Sequence, residues 1–152
     1  MMMPEEISDE PLAQEKYLVK NAKKIAILAA GAAAQRFMTK LDQEQEVLVN
    51  IANIANQLYA MESVVIRTQK AIERDGVEKA AQKILYTQIF CQEAFAIIEA
   101  EAKDTLLASV EGDAGRMTLS ALRKLTRNNP YNLIPKKREA AAKLIEAEKY
   151  VV

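Results

Sequence analysis

The sequence contains no histidine and a single cysteine, and these two shortages exclude several classes of function. Without histidine, a Ser-His-Asp triad, the usual zinc ligand sets and the Glu-x-x-His pairs of di-iron bundles are all missing. One cysteine, Cys91, cannot form a disulfide within the chain, which favours a reducing compartment such as the cytoplasm. We therefore expect no catalytic, cofactor-binding or metal-binding residue in this chain.

Glycine and proline are also scarce, with four of each in 152 residues, and tryptophan is absent. Alanine, leucine, glutamate, lysine and glutamine dominate instead, and these residues are strong helix formers. The charges balance at 21 basic and 21 acidic side chains, so no excess of positive charge points to nucleic acid. The longest apolar run, Ile25–Ala34, is far shorter than the roughly 20 residues that a membrane-spanning helix needs.

The chain length is typical of a single domain with a sizeable core. Residues 1–10 are predicted to be a flexible or cloning-derived lead, and residues 11–152 a single helical-bundle domain. The lead is acidic, unlike the basic start of a secretory signal. We expect neither secretion nor binding to a membrane.

Helical periodicity predicts an all-α, antiparallel up-and-down bundle of about four core helices plus a short C-terminal helix. Asp42 and Gln45 resemble a capping box, and Gly76 is typical of a residue just past a helix end. Residues 111–115 are predicted to form an interior loop, and Pro135 to occupy the first position of the last helix. The predicted helices span about 11–39, 42–74, 77–109, 116–127 and 135 onward.

The predicted second helix carries two apolar stripes, which indicates two packing neighbours. The first stripe is Val47, Ile51, Ile54, Leu58, Met61, Val65, Thr68 and Ile72. The second is Leu48, Ala52, Ala55, Tyr59, Glu62 and Ile66. The segment LYAMES, which begins at Leu58, belongs to both stripes and is interpreted as core rather than as a cofactor site.

The predicted first helix is basic at its start and apolar on all sides in its middle. No acidic residue occurs between Lys16 and Lys40, and a helix that is apolar all round, as Ile25–Ala34 is, is usually surrounded by protein. Its neighbours are either other helices of the bundle, or a partner domain or second subunit on one face. In the last helix, the predicted buried stripe is Ala141, Leu144 and Ile145.

A few polar side chains could carry chemistry, and each also has an ordinary structural explanation. Cys91 could be a nucleophile but lacks the usual histidine base, so a small buried side chain is the simpler interpretation. Glu62, Glu93 and Glu99 could be paired carboxylates or solvated and ion-paired helix residues. Asn50, Asn53 and Asn56 could bond across helices or line a polar face, and Lys136–Arg138 could touch lipid, an acidic partner or only solvent.

Three segments resemble the C-terminal helical extension of the long, very-long-chain-like bacterial acyl-CoA dehydrogenases. They are YLVKNAKKIAILAAGAAAQRF (17–37), LYAMESVVIRTQKAI (58–72) and ALRKLTRNNPYNLIPKKREAAAKLIEAEKYVV (121–152), in this order. The resemblance covers roughly residue 10 to the end.

The resemblance implies a noncatalytic accessory domain of an FAD-dependent enzyme of fatty-acid β-oxidation. It places FAD, acyl-CoA and the glutamate base in a catalytic body that precedes this domain. It also implies that the domain packs on that body and shapes its oligomer, with a homodimer possible through exposed apolar helix faces. An electron-transferring flavoprotein would be the partner of the whole enzyme only. The alternative is a free-standing helical adaptor that binds a partner helix in a groove.

Overall fold

The computed structural model describes residues 7–152, and within them it contains five α-helices and no strand. The helices are α1 (Ala13–Phe37), α2 (Gln45–Asp75), α3 (Ala81–Ser109), α4 (Gly112–Leu125) and α5 (Leu133–Ala147), and a 3₁₀ segment (Met38–Gln43) joins α1 to α2. The prediction of an all-α fold is confirmed. Residues 1–6 of the predicted lead lie outside the described residues.

Contacts between side chains fix the directions of the three long helices. Lys23 of α1 pairs with Glu62 of α2, so α2 runs back along α1. The Asn53 amide donates to Glu101 Oε1 at 3.3 Å, and the hydroxyls of Thr68 and Thr87 are 2.7 Å apart. Because residue numbers fall along α2 as they rise along α3, these two helices are also antiparallel.

The fourth helix runs down the bundle beside α1 and α3. At the start of α1, the Tyr17 hydroxyl donates to the carbonyl of Arg127, which follows α4. At the end of α1, Arg36 lies 3.5 Å from the carboxylate of Glu111, which precedes α4. The four helices therefore alternate in direction, as predicted, and α5 then packs on α3 through the Lys137–Glu93 ion pair and a hydrogen bond from Lys136 to Gln88.

The core lies between α1, α2 and α3, with one leucine from α4. Its fully buried residues include Leu18, Ile25, Ile54, Met61 and Ile98. The first predicted stripe of α2 supplies the side of the core facing α3, and every member is buried or half-buried. The seam is thus confirmed, and burial of this apolar surface, at about 25 cal/mol per Å², is the main force holding the bundle together.

Several predicted helix boundaries were wrong, each for a local reason. Asp42 does not form a capping box, because it lies in the 3₁₀ segment and its backbone carbonyl accepts from the Gln45 side chain. Residues 77–80 form turns before α3. Residues 112–115 are helical, and Gly115 serves close packing rather than a loop: a Cβ there would lie 3.0 Å from the Val110 carbonyl oxygen.

The last helix also begins earlier than predicted and buries a different stripe. Asn132 caps it by accepting a hydrogen bond from the Ile134 backbone nitrogen at 3.1 Å, so Pro135 is its third residue. Proline is tolerated there because the first four N–H groups of a helix have no partner within the helix. Ala140 is buried and Leu144 half-buried, whereas Ile145 and Ala141 are exposed, so the predicted stripe is only partly right.

Candidate functional site

Most of the second predicted stripe of α2 is exposed among the described residues, although Glu62 of this stripe pairs with Lys23 of α1. Tyr59 is 76% exposed and Ile66 47% exposed, and Ala52 and Ala55 are exposed as well. The segment LYAMES is therefore divided: Met61 is completely buried, whereas Tyr59 projects from the surface. The prediction that the whole segment is core was wrong for Tyr59, because the apolar core formed with α1 and α3 lies on the side of α2 that carries Met61.

The middle of α1 contributes the other half of this exposed surface. Ile27 is 74% exposed, and Gly31 and Ala34, one and two turns further on, are exposed too. Within this chain, the segment Ile25–Ala34 is therefore not covered on this side, as the alternative of a partner domain or second subunit on one face requires. The Lys23–Glu62 pair sets the antiparallel register and brings Ile27 beside the Tyr59 turn of α2. We call Ile27, Gly31, Ala34, Ala52, Ala55, Tyr59 and Ile66 the α1–α2 face.

A groove of about 510 Å³ continues this face toward the start of α1. Its apolar lining is Val19, Val65 and Ile66. Its charged lining consists of four lysines and two glutamates: Lys16, Lys20, Lys23, Lys70, Glu62 and Glu73. The groove thus combines an apolar floor with an excess of positive charge, a combination suited to an amphipathic partner.

A second feature, on another side of α1, is a buried polar cluster around Glu15. The Glu15 side chain is 1% exposed, and its Oε1 has no hydrogen-bond partner among the described residues. Tyr131 and Lys136 act on the Glu15 carboxylate, and Glu15 in turn acts on Tyr131 and Cys91. Lys136 Nζ donates to Gln88 Oε1 at 2.7 Å and lies 4.6 Å from the Tyr131 ring centroid. The cluster therefore joins α1 and α3 to the start of α5.

Burial dominates the protonation equilibria of this cluster. Loss of hydration raises the pKa of Glu15, while a hydrogen bond from Tyr131 and the charge of Lys136 oppose that rise. Burial and the nearby Glu15 carboxylate raise the pKa of Tyr131, and the same two causes raise the pKa of Cys91 to about 12. Such shifts occur at catalytic sites and in structural clusters alike. Within the cluster, no group is poised to activate the thiol.

The state of Cys91 gives a direct test of this part of the structure. Because the thiolate is the reactive species and this thiol is fully buried, Cys91 should react negligibly with a disulfide reagent at pH 8 in the folded chain. In denaturant it should react completely at the rate of a model thiol. Rapid stoichiometric labelling of the native chain, followed by absorbance, would show that α3 is not packed as described.

The other candidate residues take part in contacts between helices. Asn53 bonds to Glu101, and Asn50, with its amide oriented to satisfy its neighbours, donates to Glu101 Oε2 at 2.7 Å. Two of the three asparagines thus bridge α2 and α3, whereas Asn56 is exposed.

The three glutamates do not come together. Glu62 pairs with Lys23, Glu93 pairs with Lys137, and Glu99 is exposed. Lys136 and Lys137 of the basic run are therefore engaged on α3, which leaves Arg138 of that run exposed.

Across residues 7–152, no group of three or more His, Cys, Asp or Glu side chains could hold a metal ion. Over the same residues, no helix has the length and hydropathy that crossing a membrane requires. The sequence reasoning missed two features, the exposure of the second stripe of α2 and the burial of Glu15. The small residues Ala52 and Ala55 could have indicated the exposed stripe. Glu15, the last acidic residue before the basic segment that begins at Lys16, could have indicated the buried carboxylate.

Comparisons with known proteins place this helical architecture in a family. Residues 21–124 match the model of the acyl-CoA dehydrogenase C-terminal domain. The chain is 63% identical, over its full length, to 26% of a probable acyl-CoA dehydrogenase of Bacillus subtilis. It superposes with a TM-score of 0.96 and 64% identity on 26% of an acyl-CoA dehydrogenase of Bacillus anthracis that was crystallised with FAD. The chain spans about a quarter of the length of these relatives, and it belongs to the acyl-CoA dehydrogenase C-terminal domain family.

Proposed function

We propose that this chain is the noncatalytic accessory domain of a longer, FAD-dependent acyl-CoA dehydrogenase. The observation that carries the proposal is that the full chain matches only 26% of each relative, at 63–64% identity. In the proposed enzyme, the rest of the polypeptide, here called the catalytic body, holds FAD and acyl-CoA. The catalytic base and every flavin ligand belong to that body, and residues 11–152 act as one packing domain.

The activity proposed for the whole enzyme is the removal of two hydrogens across the α,β bond of a fatty acyl-CoA, as a step of cytoplasmic β-oxidation. Electrons would leave FAD through an electron-transferring flavoprotein. The enzyme is proposed to be of the long type and to act as a homodimer. In this scheme the domain contributes through packing, and three of its polar pairs hold helices together: Glu62 with Lys23, Glu93 with Lys137 and Asn53 with Glu101.

The test compares the whole enzyme with this chain alone. The whole enzyme should purify with FAD and reduce an artificial electron acceptor when a saturated fatty acyl-CoA is added. The isolated chain should show no flavin absorbance and no acyl-CoA-dependent reduction. A whole enzyme without flavin, or one that is inactive on acyl-CoAs of every length, would overturn the proposal, as would turnover by the chain alone.

A free-standing adaptor remains a second candidate because the α1–α2 groove could accept a helix. The gene distinguishes the two functions. A reading frame that continues through a flavoenzyme into this domain favours the accessory domain. A separately transcribed and translated chain that captures a helical peptide would favour the adaptor.

A further inference from the structure

The α1–α2 face is an apolar surface that the fold of this domain does not explain. It contains Ile27, Tyr59 and Ile66, which are 74%, 76% and 47% exposed. Apolar residues scattered singly on a surface need no explanation, but a contiguous apolar patch usually marks an interaction site. The register set by Lys23 and Glu62 makes this patch contiguous across two helices and into the groove.

We propose that the α1–α2 face is the surface on which this domain docks to the catalytic body, and that it receives an amphipathic helix with an apolar ridge and acidic flanks. This inference rests on the proposed function, which supplies the occupant. About three quarters of each relative's length lies outside the part that this chain matches, so a large partner surface is available within one polypeptide.

The shape of the face favours a helix as the docked element. Two antiparallel helices form a groove into which the side-chain ridge of a third helix fits. Small residues, Gly31, Ala34, Ala52 and Ala55, line one part of the face and permit close approach of a backbone. A Cβ added at Gly31 would meet no atom within 4 Å, so no packing within the domain requires a glycine at this position.

The charge around the groove indicates the sign of the partner's flanks. The four lysines outnumber the two glutamates, and the pairing of Lys23 with Glu62 removes one charge of each sign, so the lining keeps an excess of positive charge. Lys16 and Lys70 lie on opposite helices, so carboxylates on both flanks of a docked helix could meet a cation. Such complementary charge fixes the register and suppresses wrong partners more than it adds affinity.

Hydroxyl-radical footprinting tests the face directly, because the chain offers a matched pair of tyrosines. Tyr59 and Tyr150 are 76% and 77% exposed and have the same intrinsic reactivity. Between the isolated chain and the whole enzyme, Tyr59 should lose most of its reactivity and Tyr150 should keep it. Lys16→Glu together with Lys70→Glu should restore part of the Tyr59 reactivity in the whole enzyme.

Two double variants of the whole enzyme complete the test. All four substituted residues are on helices and 74–76% exposed, so both variants of the isolated chain should melt like the unmodified chain. Ile27→Asp with Tyr59→Asp should release the domain, giving a larger radius of gyration and a second melting transition. Met117→Asp with Ile145→Asp should leave the enzyme compact.

Three outcomes would overturn the inference, and they separate it from the proposed function. Protection of Tyr150 with an unprotected Tyr59 would assign docking to another face and leave the accessory domain intact. Protection of Tyr59 that disappears on dilution of the enzyme would assign the face to a second copy of the chain. Full reactivity of both tyrosines in a compact, active flavoenzyme would show that the face has no occupant.

Discussion

Replacing Met61 by alanine should lower the free energy of unfolding by about 2–5 kcal/mol, the range observed when a large buried side chain is truncated. Met61 is completely buried at the centre of α2, between residues of α1 and α3 in the same core cluster. The substitution removes apolar surface from the core and leaves a cavity that long, packed helices cannot easily collapse around. Urea denaturation followed by circular dichroism at 222 nm measures this loss.

The matched control lies two residues away. Tyr59→Ala, at a position that is 76% exposed, should change the free energy of unfolding of the isolated chain by less than about 0.5 kcal/mol. In the whole enzyme, by contrast, the same substitution removes a residue of the proposed docking surface. Equal losses for Met61→Ala and Tyr59→Ala in the isolated chain would show that α2 is rotated from the orientation described.

These two residues also show how far sequence reasoning reaches in this protein. The four-three spacing from Val47 to Ile72 predicted the buried seam of α2 correctly, because periodicity reports which residues share a helix face. Periodicity could not show whether the second stripe of α2 is covered by another helix of this domain. Stripe periodicity is the same whether the covering surface lies in the same domain or in another part of a longer protein.

The boundary errors arose where tertiary contacts overrode local signals. Gly112 and Gly115 predicted a loop, yet both lie in α4, and Gly115 is a glycine because the Val110 carbonyl is too close for a side chain. Likewise, Pro135 indicated a first helical position, but the Asn132 cap started α5 two residues earlier. The family resemblance identified the domain because three ordered segments carry more information than composition, which gave only the fold class.

Glu15→Gln should change how stability depends on pH, and this is the second large effect that we expect. In the unfolded chain the carboxyl ionises near its ordinary pKa of 4.5, whereas burial raises the pKa of Glu15 in the folded chain. The unfolded state therefore releases this proton at lower pH than the folded state does. The free energy of unfolding must then fall as pH rises from about 4.5 through the raised folded pKa, and level off above it.

The glutamine variant has no proton to release, so this decline should be absent from it. The stability of the variant relative to the original chain should therefore rise with pH and level off above the raised pKa of folded Glu15. The exposed Arg74–Asp75 pair, in which a hydrogen bond from Arg74 lowers the pKa of Asp75, contributes the opposite slope at acid pH. Both chains retain that pair, so its effect cancels in the difference.

A second substitution identifies what restrains the Glu15 shift. The positive charge of Lys136 opposes the effect of burial on the Glu15 pKa, so Lys136→Met should raise that pKa further and extend the decline to higher pH. The change of the free energy of unfolding with pH is the informative quantity. Its absolute value is less informative, because Lys136 also donates to Gln88 and losing this hydrogen bond lowers stability at every pH. Urea midpoints at closely spaced pH values from 4 to 9 give all three curves. Parallel curves for the original and Glu15→Gln chains would show that Glu15 is hydrated, and that α5 does not seal this end of the bundle.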